Sequence, residues 1–357
     1  MSSSPLRLRT ICVESWPRPL RALRIGGVCT SPLSEVEDDC VPGPALTGGP
    51  HVALVGPTAS GKSSLAFDLA SCRREAEIVS VDSMSVYRHM DIGTAKPSHR
   101  HRASVAHHLI DIVDPEEEFT LRDFQDAARA ALAQIEQKGH RALLVAGTGL
   151  YLRAIVDNLE LPGRWPQVSA ELEAAADEPG GLELLYQRLM DLDELAARRM
   201  DKGNRRRILR ALEVTLGSQR PFSSFGPGLD RHLPTPFVLV GIALDPALHD
   251  SAIERRFRQM VDDGLVEEVR ALARRPQGLS RTARQALGYK EILSHIEEGT
   301  ALDEALSRAV SRTKVFARRQ WRWFRRDPRV LWIDPARDSL KQLLELWDTT
   351  ALSQVGD

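Results

Sequence analysis

The stretch that decides the fold is His51-Val-Ala-Leu-Val-Gly-Pro-Thr-Ala-Ser-Gly-Lys-Ser63. Its first five residues form a short apolar run, the mark of a strand buried on both faces. Gly56 to Ser63 then fits the pattern G-x-x-x-x-G-K-[ST], and residues 64–71 have helical character. A glycine-rich turn between a buried strand and a helix aims several backbone N–H groups at one concavity, which suits a phosphate. The phosphate-binding candidates are therefore Gly56, Pro57, Thr58, Ala59, Ser60, Gly61, Lys62 and Ser63. Lys62 adds a cation, and the Ser63 hydroxyl can join a Mg²⁺ shell. The loop does not say which phosphate compound it holds.

Working outward, Glu77 to Val81 reads as a second strand ending at Asp82, and Arg141 to Val145 as a third, followed by a glycine turn. Helical periodicity runs over 121–138 and 150–158. Strands alternating with helices predict a parallel sheet covered on both faces. After Pro162 only helical signals occur until Phe237 to Leu244 returns as a strand; helices over 249–275 and 302–326 and a short strand at 330–333 follow. The fold class expected is α/β: a parallel-sheet core like that of P-loop NTPases, with an inserted all-helical domain and C-terminal helices. The boundaries expected are a disordered extension over 1–48, core over 49–160, helical insertion over 161–236, core again over 237–345, and a tail over 346–357.

Composition narrows the classes. The chain has 357 residues, 42% hydrophobic and 27% charged, so wholesale disorder is excluded. No apolar run approaches the roughly 18 residues of a membrane span. Residues 1–48 lack apolar periodicity, and seven of the chain's 21 prolines fall in the first 50 residues. Arginines early in that segment faintly suggest a transit peptide; a dispensable extension is the simpler reading. Four cysteines without zinc spacing argue against a disulfide framework and fit a reducing cytosol. Lys+Arg is 48 against Asp+Glu 49, but Arg308 to Arg326 holds eight basic residues and no acid. On a helix, Arg308, Arg312, Arg319, Arg322 and Arg326 line one face and Val310, Ala317, Trp321 and Phe324 the other. Such a one-signed stripe suits a phosphate backbone. A second basic cluster is Arg205-Arg206-Arg207 with Arg210.

Three further strings refine the reading: Asp82-Ser-Met-Ser-Val-Tyr-Arg-His-Met-Asp-Ile-Gly-Thr-Ala-Lys-Pro97, His107-His-Leu-Ile-Asp111 and Gly147-Thr-Gly-Leu-Tyr151. With the phosphate loop, and with Arg210-Ala-Leu-Glu-Val214, Ala286-Leu-Gly-Tyr-Lys-Glu291 and Ala317-Arg-Arg-Gln320 in order behind them, the chain resembles the tRNA dimethylallyltransferases of bacterial type. The resemblance covers about residues 50–334. It implies transfer of a five-carbon group from dimethylallyl diphosphate to N6 of the adenine 3′ of the anticodon, with Mg²⁺. The acceptor implied is the anticodon stem-loop of tRNA, and the state expected is a cytoplasmic monomer. It further implies Asp82 as general base, Thr148 beside the reacting groups with Lys62, a diphosphate held by residues 56–63, and Arg256 near that diphosphate. It places Asp82, Ser83, Met84, Ser85, Arg206, Arg207, Arg210, Arg284, Arg319 and Arg322 against the RNA. Asp91, Thr94 and Lys96 are binding or loop-shaping residues, and His107 and His108 structural ones.

The chain departs from the pattern in places. Ser85 stands where many members have Gln, Ala146 where many have Gly, Lys314 where many have Arg, and Glu194 where many have Pro. Three other readings stay open on the residues alone: transfer to a free adenine nucleotide, for which a basic stripe and a helical insertion have no use, a small-molecule P-loop kinase, and a non-enzymatic RNA-binding P-loop protein.

Overall fold

The computed structural model describes residues 49–352 apart from 227, 230, 244, 245, 335 and 336. The extension expected over 1–48 lies outside the described residues. The strands are β1 (Val52–Val55), β2 (Ala76–Val81), β3 (His107–His108), β4 (Arg141–Ala146), β5 (Val238–Ile242) and β6 (Val330–Ile333). They form one parallel sheet in the order β3-β2-β4-β1-β5-β6. Among the first of them run α1 (Lys62–Cys72), α2 (His99–Ser104), α3 (Leu121–Gln137) and α4 (Gly149–Val156). After α4 come α5 (Pro166–Asp177), α6 (Gly181–Leu192), α7 (Glu194–Arg198) and α8 (Arg205–Ser218). The rest are α9 (Pro246–Asp262), α10 (Leu265–Ala273), α11 (Tyr289–Glu298), α12 (Leu302–Arg325) and α13 (Ser339–Leu352).

Alternation along the strands sets the two layers. Val52 and Leu54 face α1 and α13, with Leu65, Leu69, Leu343 and Trp347 in that core. Ala53 and Val55 face the other side, where Phe124 of α3, Leu152 of α4 and residues of α9 to α12 close over them. Helices α5 to α8 gather around a core of their own, built from Leu172, Tyr186, Leu189, Ile208 and Leu212.

Several features depart from the sequence reading. The apolar pattern over 182–200 is broken at Asp193, whose side chain caps α7 through the Ala196 N–H and also accepts from the Ser223 N–H. Gly264, with φ of 99°, splits the expected 249–275 helix into α9 and α10. The expected tail is not one in its first half: 346–352 complete α13, and Trp347 is fully buried with the Arg141 guanidinium 4.0 Å from its ring centroid. Burial pushes Arg141 down to about 10, although its guanidinium is bonded to the Pro50 and Trp347 carbonyls. Cys72 is disulfide-bonded, where the cysteine spacing argued against a disulfide framework. No described helix is long and apolar enough to cross a membrane.

Candidate active site

The central strands end together. Register pairs Val55 of β1 and Val81 of β2 with the same residue, Ala146 of β4. The next residues are Gly56, Asp82 and Gly147, so the phosphate loop, the candidate base and the Gly147-Thr148 turn share one edge. In an open parallel sheet this carboxyl-end crevice is where ligands bind.

The loop wraps toward α1, and Gly61 precedes the helix with φ of 81°. Ala59 also has positive φ, 60°, which a side chain tolerates only where its surroundings hold it. The Ser60 hydroxyl oxygen is buried and has no hydrogen-bond partner among the described residues. A buried hydroxyl left open inside a ring of amides is what an entering anion needs. Lys62 donates to the Pro57 carbonyl at 3.1 Å. Burial, then the neighbouring Arg256 guanidinium, push Lys62 down to about 8, while Asp82 pulls it back up. Burial also lowers Arg256, again opposed by Asp82. Lys62, Arg256 and Asp82 thus share one electrostatic environment.

Asp82 is held by its own backbone. Its Oδ1 accepts from the Met84 N–H at 2.8 Å and, more weakly, from Ser85 at 3.4 Å. Oδ2 has no hydrogen bond among the described residues. Thr148 precedes α4 but its side chain makes no cap bond, so the hydroxyl is not spent on the helix terminus. Across the crevice stands Tyr151, pushed up to about 12 by burial and by Tyr87 and Asp82, with Arg164 and Arg206 acting against the rise.

Among the described residues no group of three or more His, Cys, Asp or Glu side chains could hold a metal. A cation that needs a full protein cage does not fit. Mg²⁺ does, because it takes few protein ligands and completes its shell with phosphate oxygens and water. The exposed Ser63 hydroxyl on the first turn of α1 is the donor available for it.

The RNA candidates divide. Arg206 and Arg207 are exposed. Arg205 is tied to Glu173 and Asp177, and Arg210 donates to the Pro162 and Gly163 carbonyls and pairs with Glu213, so both brace the insertion. Arg284 pairs with Glu297 on α11. Arg308 and Arg312 of the stripe pair with Glu304 and the buried Glu291, and Lys314 and Arg318 tie α12 to Glu254 and Asp250 of α9. Arg319, Arg322, Arg325 and Arg326 stay exposed, with no ion-pair partner among the described residues. The free stripe is the C-terminal half of α12. Ser85, grouped with the RNA-facing residues, is buried, its hydroxyl 2.9 Å from that of Ser80. It offers nothing to an entering base. Ser83 and Met84 are half-buried at the crevice.

The Asp91 to Pro97 string is loop-shaping. Lys96 donates to the Tyr87 carbonyl at 2.6 Å and pairs with Asp91 and Asp111, and Thr94 donates to the Met90 carbonyl. Glu268 accepts from the Asp91, Ile92 and Gly93 amides. His108 bonds Glu77, which lies at the far end of β2; burial raises Glu77, but its bonds from His108, Lys138 and His140 outweigh that and hold it at about 2. Sequence reading missed two side chains that touch the loop. Gln320 of α12 accepts from the Thr58 N–H, and His249 of α9 donates to the Thr58 carbonyl. The signal for Gln320 was its place as the one amide on the apolar face of α12.

A family model described as IPP transferase matches residues 85–327. The tRNA dimethylallyltransferase of Geobacter metallireducens is 44% identical over 286 residues, 79% of this chain and 92% of that protein. That of Streptomyces avermitilis is 43% identical over 83% of this chain and 93% of its own. The crystal structure of the tRNA isopentenylpyrophosphate transferase from Bacillus halodurans superposes with a TM-score of 0.63 at 33% identity, covering 86% of this chain and 98% of that one. A eukaryotic dimethylallyltransferase solved acting on tRNA shares the fold, with a TM-score of 0.68 at 23% identity. By sequence over most of its length and by fold, the chain belongs to the IPP transferase family, the tRNA dimethylallyltransferases.

Proposed function

We propose that this chain transfers a dimethylallyl group from dimethylallyl diphosphate to N6 of the adenine next to the anticodon in tRNA. The observation that carries the reading is the common edge of β1, β2 and β4, which sets Asp82 and Thr148 beside the phosphate loop and its two cations. The loop amides, Ser60, Lys62 and Arg256 bind the diphosphate and take up the negative charge that grows as the allylic C–O bond breaks. Ser63 would hold Mg²⁺, which supplies further charge to the leaving group when bound.

An exocyclic adenine amine is a weak nucleophile, because its lone pair is shared with the ring. Asp82, fixed through Oδ1 and open at Oδ2, accepts the amine proton as the new C–N bond forms; general base help of this kind is worth about 10²–10⁴-fold. The Thr148 hydroxyl, free of cap duty, orients the amine. The adenine must leave its stack to reach this edge. The exposed Arg206, Arg207, Arg319 and Arg322 bind the phosphates of the stem-loop, contacts a free nucleotide does not call for. The test is incubation with labelled dimethylallyl diphosphate, Mg²⁺ and either bulk tRNA or AMP. Label in tRNA alone supports the reading; label in AMP alone, or in neither, overturns it.

A further inference from the structure

Thr58 sits at the crest of the phosphate loop, yet neither of its backbone groups bonds to backbone. Its N–H donates to Gln320 Oε1 at 2.9 Å, and its carbonyl accepts from His249 Nε2 at 2.7 Å. The other half of the Gln320 amide, Nε2, donates to the Gly147 carbonyl at 2.7 Å. Gln320 is buried, and a Cβ at Gly147 would stand 3.2 Å from that Nε2 and 3.7 Å from the Lys62 Nζ. One side chain thus spans the loop that holds the leaving group and the turn that carries Thr148. Trp323, one helical turn on, packs against Gly149 so closely that a Cβ there would collide with the indole. Both lie on the same face of α12, and Arg319 and Arg322 lie on its exposed face.

We propose that Gln320 is a positioning residue for the transfer reaction, setting the phosphate loop and the Thr148 turn in one register from the helix that also carries the free arginines. This role presupposes the reaction proposed above. An amide is the group this place demands, because it must accept from one backbone N–H and donate to one backbone carbonyl at once. A carboxylate lacks the donor and a lysine lacks the acceptor. Ala59, with a positive φ of 60°, follows Thr58 directly in the chain. Without the Gln320 bonds the loop relaxes and the distance between leaving group and acceptor amine is no longer fixed; a displacement of about 1 Å can cost 10²-fold in rate.

The test compares wild type with Gln320→Met, which keeps the volume and removes both bonds, and with the milder Gln320→Asn, which is too short to span both partners. Four quantities are read: thermal midpoint, affinity for inorganic pyrophosphate with Mg²⁺ by calorimetry, kcat, and KM for tRNA. The expected result is a folded Gln320→Met protein with at least tenfold lower kcat and several-fold weaker pyrophosphate binding, at an unchanged KM for tRNA. Gln320→Asn carries the test if the methionine variant does not fold, with losses in the same two quantities. Wild-type kcat and pyrophosphate affinity in a folded variant overturn the assignment, as does a loss confined to KM for tRNA. If wild type itself transfers no prenyl group, the reaction reading fails, and the pyrophosphate titration still decides whether Gln320 shapes the loop.

Discussion

Replacing Lys62 by methionine should make the free protein more stable while disabling its phosphate loop. The ammonium is partly buried beside a second cation, Arg256, and its pKa falls from 10.5 to about 8. At about 1.4 kcal/mol per tenfold, that fall means the folded state disfavours the charged lysine by about 3 kcal/mol. The bond to the Pro57 carbonyl is lost in the variant, at a cost of about 1 kcal/mol. The net gain is about 2 kcal/mol, or a rise in midpoint of roughly 3 °C for a chain of 357 residues. The pH dependence fixes the cause. Below about pH 8 the lysine is charged in both states, and the folded protein carries the whole penalty. Between there and the unfolded value the penalty shrinks, and above both it is gone. The variant's advantage should therefore be largest near pH 7 and fade by about pH 10. Thermal unfolding at the two pH values measures it. Pyrophosphate affinity should fall roughly 10–100-fold, the worth of a charge-assisted hydrogen bond. A variant no more stable than wild type at neutral pH, or one whose advantage persists undiminished at high pH, refutes the account of Lys62 as a cation held against its own stability to receive an anion.

The same lysine predicts that kcat/KM for the diphosphate falls as pH rises through about 8, since only the ammonium captures the anion; a flat profile to well above that value contradicts it. Asp82→Asn keeps the Oδ1 acceptor used by Met84 and Ser85, so it should fold and bind tRNA normally while turnover drops about 10²–10⁴-fold; near-normal prenylation removes Asp82 from the chemistry. Charge reversal at Arg319 and Arg322 should weaken tRNA binding and lower the slope of log affinity against log salt by about one for each phosphate no longer neutralised; reversal at Arg308 and Arg312, already neutralised by acids, should change that slope little. Trp347→Ala should cost about 3–5 kcal/mol in denaturant unfolding, because it empties the centre of the α1–α13 layer; a loss below about 1 kcal/mol would return α13 to the status of a tail.

The parts legible in sequence are those whose signal is local. A buried parallel strand must be a continuous apolar run, so Val52–Val55, Arg141–Ala146 and Val238–Ile242 stand out unaided, and the phosphate loop is written in glycines and one lysine. What escaped is what depends on a partner far along the chain. β3 is two residues long and exists because His107 and His108 pair with Ile78 and Val79. α13 carries weak helical patterning, and only the Arg141 guanidinium beneath Trp347 reveals it as core. The arginine stripe on α12 is written in the sequence, yet two of its five arginines, Arg308 and Arg312, are spent on Glu304 next door and on Glu291 of α11, which no reading of residues 308–326 could supply. The long Asp91 to Pro97 string is conspicuous in sequence, but its chemistry is inward: Lys96 joins it to Asp111 of the second string, so the two are halves of one strut.

That strut bears on the site through position. Lys96 anchors the Tyr87 carbonyl, five residues beyond Asp82, while Glu268 grips the Asp91 to Gly93 amides and accepts from the Tyr289 hydroxyl at 2.5 Å. Tyr289 lies so close to Gly93 that a Cβ there would overlap the ring. The segment leaving Asp82 is therefore pinned at both ends, and the carboxylate cannot follow its own loop away from the crevice. Gly93→Ala tests the link between packing and chemistry. It should destabilise by about 1–3 kcal/mol through overpacking. If the strut also aims Asp82, kcat should fall in the folded fraction while pyrophosphate affinity, set by the opposite loop, holds. Equal loss of both would mean that the whole crevice has deformed and that the strut has no separate hold on the base.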